Sequence, residues 1–346
     1  MKRRIVFYFV AANAIGVFFL WLAARGLPYE EIGPYLQGAD LGHLLTWSGL
    51  FVLVYTLCHA ARIIRWDYLV QPLGAVESRK VHRASAVGFT AILLLPLRLG
   101  EFVRPSLLAR RSELSMSSLL ATAVVERVID GLFVTGLLFL TLVTYQGGAA
   151  TGFARTTGFV AAAIFIPALL VCGLALWRRG WAIGLVDTLL RPLSESLADK
   201  IAAMLDNFID GFSGLADRGS LLPFLALTLV YWSVNIVSLW LLGRFGFGFT
   251  LSLWESATVI AILVVGIMIP AGPALTGNFE FFMTKGMALF VAIEVYGAKV
   301  AVFAALVHIL QFLVIVVPGF WVMWTDPAAR HLISISRDGQ QRIDHE

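Results

Sequence analysis

The sequence predicts an all-α polytopic integral membrane protein of about six to eight spans plus two re-entrant helical hairpins, arranged as an inverted repeat. Three observations carry that expectation. Of 346 residues, 59% are hydrophobic and 14% charged, with a mean hydropathy of +0.84, whereas soluble domains are about 25% charged. Apolar runs recur near the ~20 residues a helix needs to cross hydrocarbon. Charges interrupt some of these runs, where each costs at least ~2.5 kcal/mol unless paired or wetted.

Residues 5–23 form a first span behind Lys2-Arg3-Arg4. No small-x-small cleavage site follows, so the span stays uncleaved with its basic end in the cytoplasm. Residues 26–42 hold Glu30, Glu31 and Asp40 without Lys or Arg, as suits an external loop. The run 44–61 returns, and Arg62, Arg65, Arg79, Lys80 and Arg83 crowd a cytoplasmic connection.

Residues 84–97 are apolar but too short to cross; Pro96 ends them, and Arg98, Arg104, Arg110 and Arg111 follow. With basic residues on both flanks, the chain enters along 84–97 and returns along 100–110, its tip at Leu97 to Gly100. Non-helical backbone at membrane depth needs protein or a wet cavity around it, so the hairpin implies a cavity.

Ser115 or Ser117 caps the next helix, 119–145. Its Glu126 and Asp130 are four apart and share a face; Arg127 is three before Asp130 and can pair with it. A glycine-rich external turn at 146–155 precedes the run 159–177. Residues 181–218 differ in character. Leu185, Leu189, Leu193, Leu197, Ile201, Met204, Phe208 and Phe212 recur at helical spacing opposite Asp187, Arg191, Glu195 and Lys200. That pattern predicts a cytoplasmic amphipathic helix or helix pair, broken near Pro192, on the membrane surface or against the domain.

The run 221–242 spans outward, 253–269 re-enters, Pro270 to Gly277 interrupts it, and 281–295 is again short; 300–324 spans back, leaving a polar cytoplasmic tail at 326–346. Residues 1–325 then form one membrane domain with halves at 44–145 and 221–324. The halves align at an offset of about 180 residues, with Gly100-Glu101-Phe102 near Phe279-Glu280-Phe281 and Pro96 near Pro273. Loop charges bring the first hairpin in from the cytoplasm and the second from outside, which is the inverted arrangement.

The breaks fall at Pro96, Gly100, Pro270, Gly272, Pro273 and Gly277. Re-entrant tips present backbone amides, and arginines add bidentate donors suited to phosphate oxygens. Arg98 and Arg104 are therefore candidate headgroup contacts. Glu101 either holds Arg104 or faces a cationic headgroup. Glu126, Arg127 and Asp130 supply a facing wall, and Asn278 and Glu280 a contribution from the second hairpin. Competing assignments are positive-inside anchors for the arginines and a structural ion-pair cluster for Glu126, Arg127 and Asp130. His308 and Gln311 suit an interhelical hydrogen bond.

Enzyme signatures are missing: no H-E-x-x-H, G-x-S-x-G, Walker loop or paired Cys/His metal spacing occurs. The basic stretch from Arg98 resembles the first motif of membrane lipid phosphatases, but no later Ser-Gly-His or downstream His completes it. No catalytic residue, metal or cofactor is expected, and no basic run interleaved with aromatics points to nucleic acid. Cys58 and Cys172 read as small buried hydrophobes. The expected partners are membrane lipids, phospholipid or polyprenyl-phosphate-linked, with a membrane enzyme as a second class of partner.

Leu95-Pro-Leu-Arg-Leu-Gly-Glu-Phe-Val-Arg104, then Glu126-Arg-Val-Ile-Asp130, then Pro270-Ala-Gly-Pro with Gly277 and Glu280, resemble the flippase-like transmembrane family of the lysylphosphatidylglycerol synthase/flippase proteins. The resemblance covers roughly residues 5–325. It implies a membrane domain with two re-entrant hairpins that flips lipids across a bacterial cytoplasmic membrane, with both termini inside. Carried over, Arg98, Glu101, Arg104, Glu126, Arg127, Asp130 and Glu280 become lipid-site residues. The chain is expected to be a stand-alone membrane domain without the aminoacyl-transferase domain of bifunctional members, so lysyl transfer is not inferred. The loop Pro270 to Gly277 is less glycine-dense than the family's usual form.

Overall fold

In the computed structural model, residues 2–25, 28–144, 149–192, 194–212, 217–270 and 272–326 are described, and they contain helices and turns but no strand. Four helices among them are long and apolar enough to cross a membrane: Leu41–Leu73, Gly152–Val171, Arg218–Gly246 and Ile293–Thr325. Helices α1 (Lys2–Ala24) and α6 (Met116–Thr144) reach similar length. The all-α membrane architecture expected from the hydropathy is thus present.

Helix α2 (Tyr29–Gly38) occupies the stretch read as an external loop. Glu30 and Glu31 lie in its first turn, where carboxylates complement the helix dipole, and it packs against the much later helix α13 (Ile293–Thr325). Helix α3 (Leu41–Val70) starts at an Asp40 cap, whose Oδ1 accepts the His43 amide at 3.0 Å. It runs on through Arg62 and Arg65, both assigned from the charge pattern to a loop. Ile63, Ile64, Trp66, Leu69 and Val70 continue its apolar character, and Trp66, Leu69 and Val70 are buried.

Two antiparallel helical hairpins follow the same plan. In the first, α4 (Ser78–Leu94) breaks at Leu95; a 3-10 turn, Pro96–Phe102, leads into α5 (Val103–Ala109). The arms touch so closely that a Cβ on Gly100 would lie 2.1 Å from the Ile92 nitrogen, and one on Gly88 would lie 2.5 Å from Arg104 Cβ. This fixes the register and explains why glycine stands at position 100. In the second, α11 (Leu253–Ile267) and α12 (Asn278–Met287) pack across Gly266 against Phe282 and across Gly286 against Val259. Its loop includes a short 3-10 turn, Pro273–Leu275, and passes through positive φ at Ala274, Leu275 and Gly277. Helix α12 ends at Met287, and α13 begins at Ile293, earlier than the spacing suggested.

Long helix, hairpin, long helix therefore occurs twice: α3, α4–α5, α6, then α10 (Arg218–Leu241), α11–α12, α13. Helices α3 and α10 pack against each other at the seam between the halves. Between them run α7 (Ala149–Trp177), α8 (Arg179–Leu190) and α9 (Glu195–Asp210). The amphipathic segment is a pair that breaks next to Pro192, and α9 sits against α6, with Ser118 Oγ donating to the Asn207 carbonyl at 2.7 Å. The tail from residue 327, Leu193, residues 145–148 and the side chains of Leu185 and Cys172 lie outside the described residues; the rest of the stretch expected as a glycine-rich turn, 149–155, is the start of α7, whose helix extends the apolar run 159–177 backwards. Asp326 is buried, accepting from Arg111 Nη1 at 2.7 Å.

Candidate functional site

Helices α3 and α6 and the first hairpin bring their charges into one continuous chain. Arg65, fully buried on α3, grips Asp130 with both ends of its guanidinium: Nη1 donates to Oδ1 at 2.7 Å and Nη2 to Oδ2 at 2.6 Å. Nη2 also donates to Glu126 Oε1 at 2.8 Å. Glu126 accepts on its other oxygen from Arg104 Nη2 at 2.6 Å. In the other direction Arg127 approaches Asp130 at 4.0 Å and donates to Glu101 Oε2 at 3.1 Å. Glu101 Oε1 accepts from Arg98 Nη2 at 2.7 Å.

The order is Arg98, Glu101, Arg127, Asp130, Arg65, Glu126, Arg104: four guanidiniums bridged by three carboxylates. The four-residue spacing of Glu126 and Asp130 puts both carboxylates on the α6 face that meets α3. Neutral donors complete the set. Trp232 Nε1 donates to Asp130 at 3.2 Å, and Trp66 Nε1 donates to Thr122 at 2.9 Å beneath the Arg104 guanidinium, which lies 4.3 Å from the Trp66 ring.

Side-chain exposure rises from 0% at Arg65 and Glu126 to 18% at Arg98 and 24% at Arg127, so the Arg98 end of the chain is the open one. That end borders a cavity of about 120 Å³ lined by Arg62, Arg98, Arg127, Asp130, His308 and Gln311 among aromatic and aliphatic side chains. Arg62 stands apart from the chain. Its guanidinium lies 4.0 Å from the Phe89 ring, its Nε has no hydrogen-bond partner, and no carboxylate among the described residues pairs with it.

The second hairpin closes the other side. Arg98, itself at φ 58, donates Nη1 to the Ile267 carbonyl at the end of α11 at 2.8 Å, which joins the two hairpins directly. Asn278, fully buried, ties the loop by donating to the Ile269 carbonyl at 3.0 Å. Glu280 Oε2 accepts the Gly277 amide at 2.7 Å at the start of α12. Its Oε1 lies 2.6 Å from His308 Nδ1, and His308 Nε2 lies 2.7 Å from the Ala274 carbonyl. A carbonyl only accepts, so Nε2 carries hydrogen, and one further proton lies between Nδ1 and Oε1.

Of the predicted residues, Arg98, Glu101, Arg104, Glu126, Arg127 and Asp130 share one network. Glu280 pairs with His308 and Asn278 with the Ile269 carbonyl, apart from that network, and neither lines the cavity. Of the two expected pairings, Arg127 with Asp130 is present at 4.0 Å and Glu101 with Arg104 is not. Glu101 holds Arg98 and Arg127 instead of Arg104, Arg104 goes to Glu126, and the main partner of Asp130 is Arg65. Sequence reasoning missed Arg65, Arg62 and Trp232; it gave His308 an interhelical hydrogen bond, which is present, but did not name Glu280 as the partner. The signal for the first two was the apolar run continuing past residue 61.

Residues 9–319 match the family described as lysylphosphatidylglycerol synthase TM region. The chain is 26% identical over 345 residues to a protein named glycosyltransferase AglD from Haloferax volcanii, covering 92% of this chain and 54% of that one. It is 26% identical over 294 residues to a UPF0104 membrane protein from Archaeoglobus fulgidus, covering 76% of this chain and 86% of that one. The chain thus spans about half the length of the first of these relatives. No solved structure matches. With nine-tenths of its length matched, including both hairpins and the whole ion-pair chain, the protein belongs to the lysylphosphatidylglycerol synthase transmembrane-region family.

Proposed function

We propose that the protein moves lipid headgroups across a prokaryotic cytoplasmic membrane through the cavity between its two hairpins. The hairpins are re-entrant in this reading, and the halves 44–145 and 221–324 are inverted with respect to the membrane. The basic ends of the first hairpin, at Arg79, Lys80, Arg83, Arg110 and Arg111, lie in the cytoplasm with both termini. A bacterial membrane was the expectation; the archaeal relatives extend it to archaea.

The observation that carries the reading is a wall that combines Arg62, with no carboxylate partner, with the open Arg98–Glu101–Arg127 end of the ion-pair chain. Ionisable groups at membrane depth that face a cavity mark substrate pathways. A headgroup phosphate would dock on the arginines while the acyl or prenyl tails stay in lipid. Transport is then downhill or gradient-driven. Reconstitution into liposomes with a headgroup-labelled lipid tests this: leaflet exchange above that of protein-free vesicles is expected, and its absence would remove the proposal.

The match to a protein named a glycosyltransferase favours a second reading. In it the domain holds a lipid-linked substrate for a membrane enzyme without moving it. Co-purification of such an enzyme, with no exchange by the isolated protein, would select that reading.

A further inference from the structure

The charge around the cavity does not balance. The ion-pair chain contributes four guanidiniums and three carboxylates, and Arg62 adds a fifth guanidinium with no carboxylate partner among the described residues, leaving two positive charges. The Glu280–His308 pair does not offset them. With Nε2–H fixed on the Ala274 carbonyl and a single proton between Nδ1 and Oε1, the pair is neutral whichever atom holds that proton.

Unpaired charge at such depth is tolerated when a ligand completes it. An unused donor stands in the cavity wall: Arg62 Nε is buried without a hydrogen-bond partner. The cavity, about 120 Å³, sets this donor among aromatic and aliphatic walls.

We propose that the cavity selects lipids whose headgroup is a phosphomonoester, a dianion at neutral pH, over phosphodiester lipids, which bring one negative charge. The proposal rests on the translocation reading for its setting but can fail or stand independently of it. A phosphomonoester carries about −1.5 to −2 charges at pH 7 because its second ionisation falls near pH ~6. Two negative charges close the count; one leaves it open. The groups facing the bound phosphate are Tyr55 and Arg62 from α3, Arg98 at the first tip, Arg127 and Asp130 from α6, Tyr231 from α10 and His308 from α13. Helices α4, α7 and α11 present only apolar side chains to the cavity.

The test is binding of four probes to the purified full-length protein in nanodiscs: phosphatidic acid, a polyprenyl phosphate, phosphatidylglycerol and inorganic phosphate. At about pH 7.5 both phosphomonoester lipids should bind roughly tenfold more tightly than phosphatidylglycerol, and near pH ~5, below the second ionisation, the preference should fall toward parity. Arg62→Gln should cut the preference to about threefold or less, and Arg62→Lys should keep it. If Arg62→Gln fails to fold, the pH profile of the unaltered protein still decides.

Equal or tighter binding of phosphatidylglycerol overturns the proposal even if liposomes show lipid exchange. Phosphomonoester selectivity without any exchange supports it and removes translocation instead. Inorganic phosphate competing as strongly as the lipids overturns it too, by making the ligand a free anion.

Discussion

Arg65 of α3 and Asp130 of α6, 65 residues apart in the chain, face each other as a two-pronged ion pair with N–O distances of 2.7 and 2.6 Å, buried between the two helices with Asp130 at the cavity wall. The buried ion-pair chain runs outward from that contact. It fixes how far α3 lies from α6, holds Glu126 where Arg104 can reach it, and leaves Arg127 free to turn toward Glu101 and the cavity.

Removing Arg65 would strand two carboxylates in a low-dielectric site. Arg65→Ala should destabilise the fold by about 3–5 kcal/mol, as breaking a buried pair does. Arg65→Lys should rescue little, because an ammonium cannot fork across both Asp130 oxygens. Thermal unfolding of the detergent-solubilised variants checks this. The pair Arg65→Ala/Asp130→Ala should cost clearly less than the sum of the single changes.

The exposed pairing of Arg179 with Asp206 and Asp210, between α8 and α9, offers the contrast. All three side chains are close to half exposed, so Arg179→Ala should change stability by less than about 1 kcal/mol, and less still at high salt. A loss as large as that of Arg65→Ala would mean that α8 and α9 depend on this contact far more than its exposure allows.

Gly100→Ala should disrupt the first hairpin. Its Cβ would lie 2.1 Å from the Ile92 backbone nitrogen, which no side-chain rotation relieves. The arms must separate, at a cost of at least ~1–3 kcal/mol. Thermal unfolding of the variant beside the unaltered protein checks this, and an unchanged midpoint would mean that the arms can separate without loss.

His308 is the keystone of the second loop. His308→Ala leaves the Ala274 carbonyl and one Glu280 oxygen without their described partner, a loss of about 1–3 kcal/mol. Glu280→Gln removes the shared proton but keeps the shape, so it should lose less stability. Unfolding curves of the two variants, measured side by side, test that order.

The hydropathy pattern was enough to reveal the long helices, both hairpin breaks and the charged motifs that flank them. Pairing was legible only in part. Reasoning by three- and four-residue spacing gave Arg127 to Asp130, which is present at 4.0 Å, and Glu101 to Arg104, which is not; it could not reach the closer partner of Asp130, Arg65, 65 residues away. Loop-charge counting also misplaced Arg62 and Arg65, because five basic residues between 62 and 83 look like one cytoplasmic cluster. Only Trp66, Leu69 and Val70 betray that α3 continues past them. Helix α2 was hidden for a similar reason: its acidic, proline-containing sequence reads as loop until packing against α13 supplies the missing stabilisation.

Arg62→Gln isolates the central claim, because Arg62 makes no ion pair within the described structure and its contact with the Phe89 ring is worth about 0.5–2 kcal/mol at most. The measurement is the rate at which a headgroup-labelled lipid changes leaflets in liposomes carrying the unaltered protein or this variant, with thermal unfolding recorded for both. The rate should fall roughly tenfold or more with nearly unchanged unfolding, as the loss of a charge-assisted phosphate contact requires. Equal rates in the two preparations would contradict the claim.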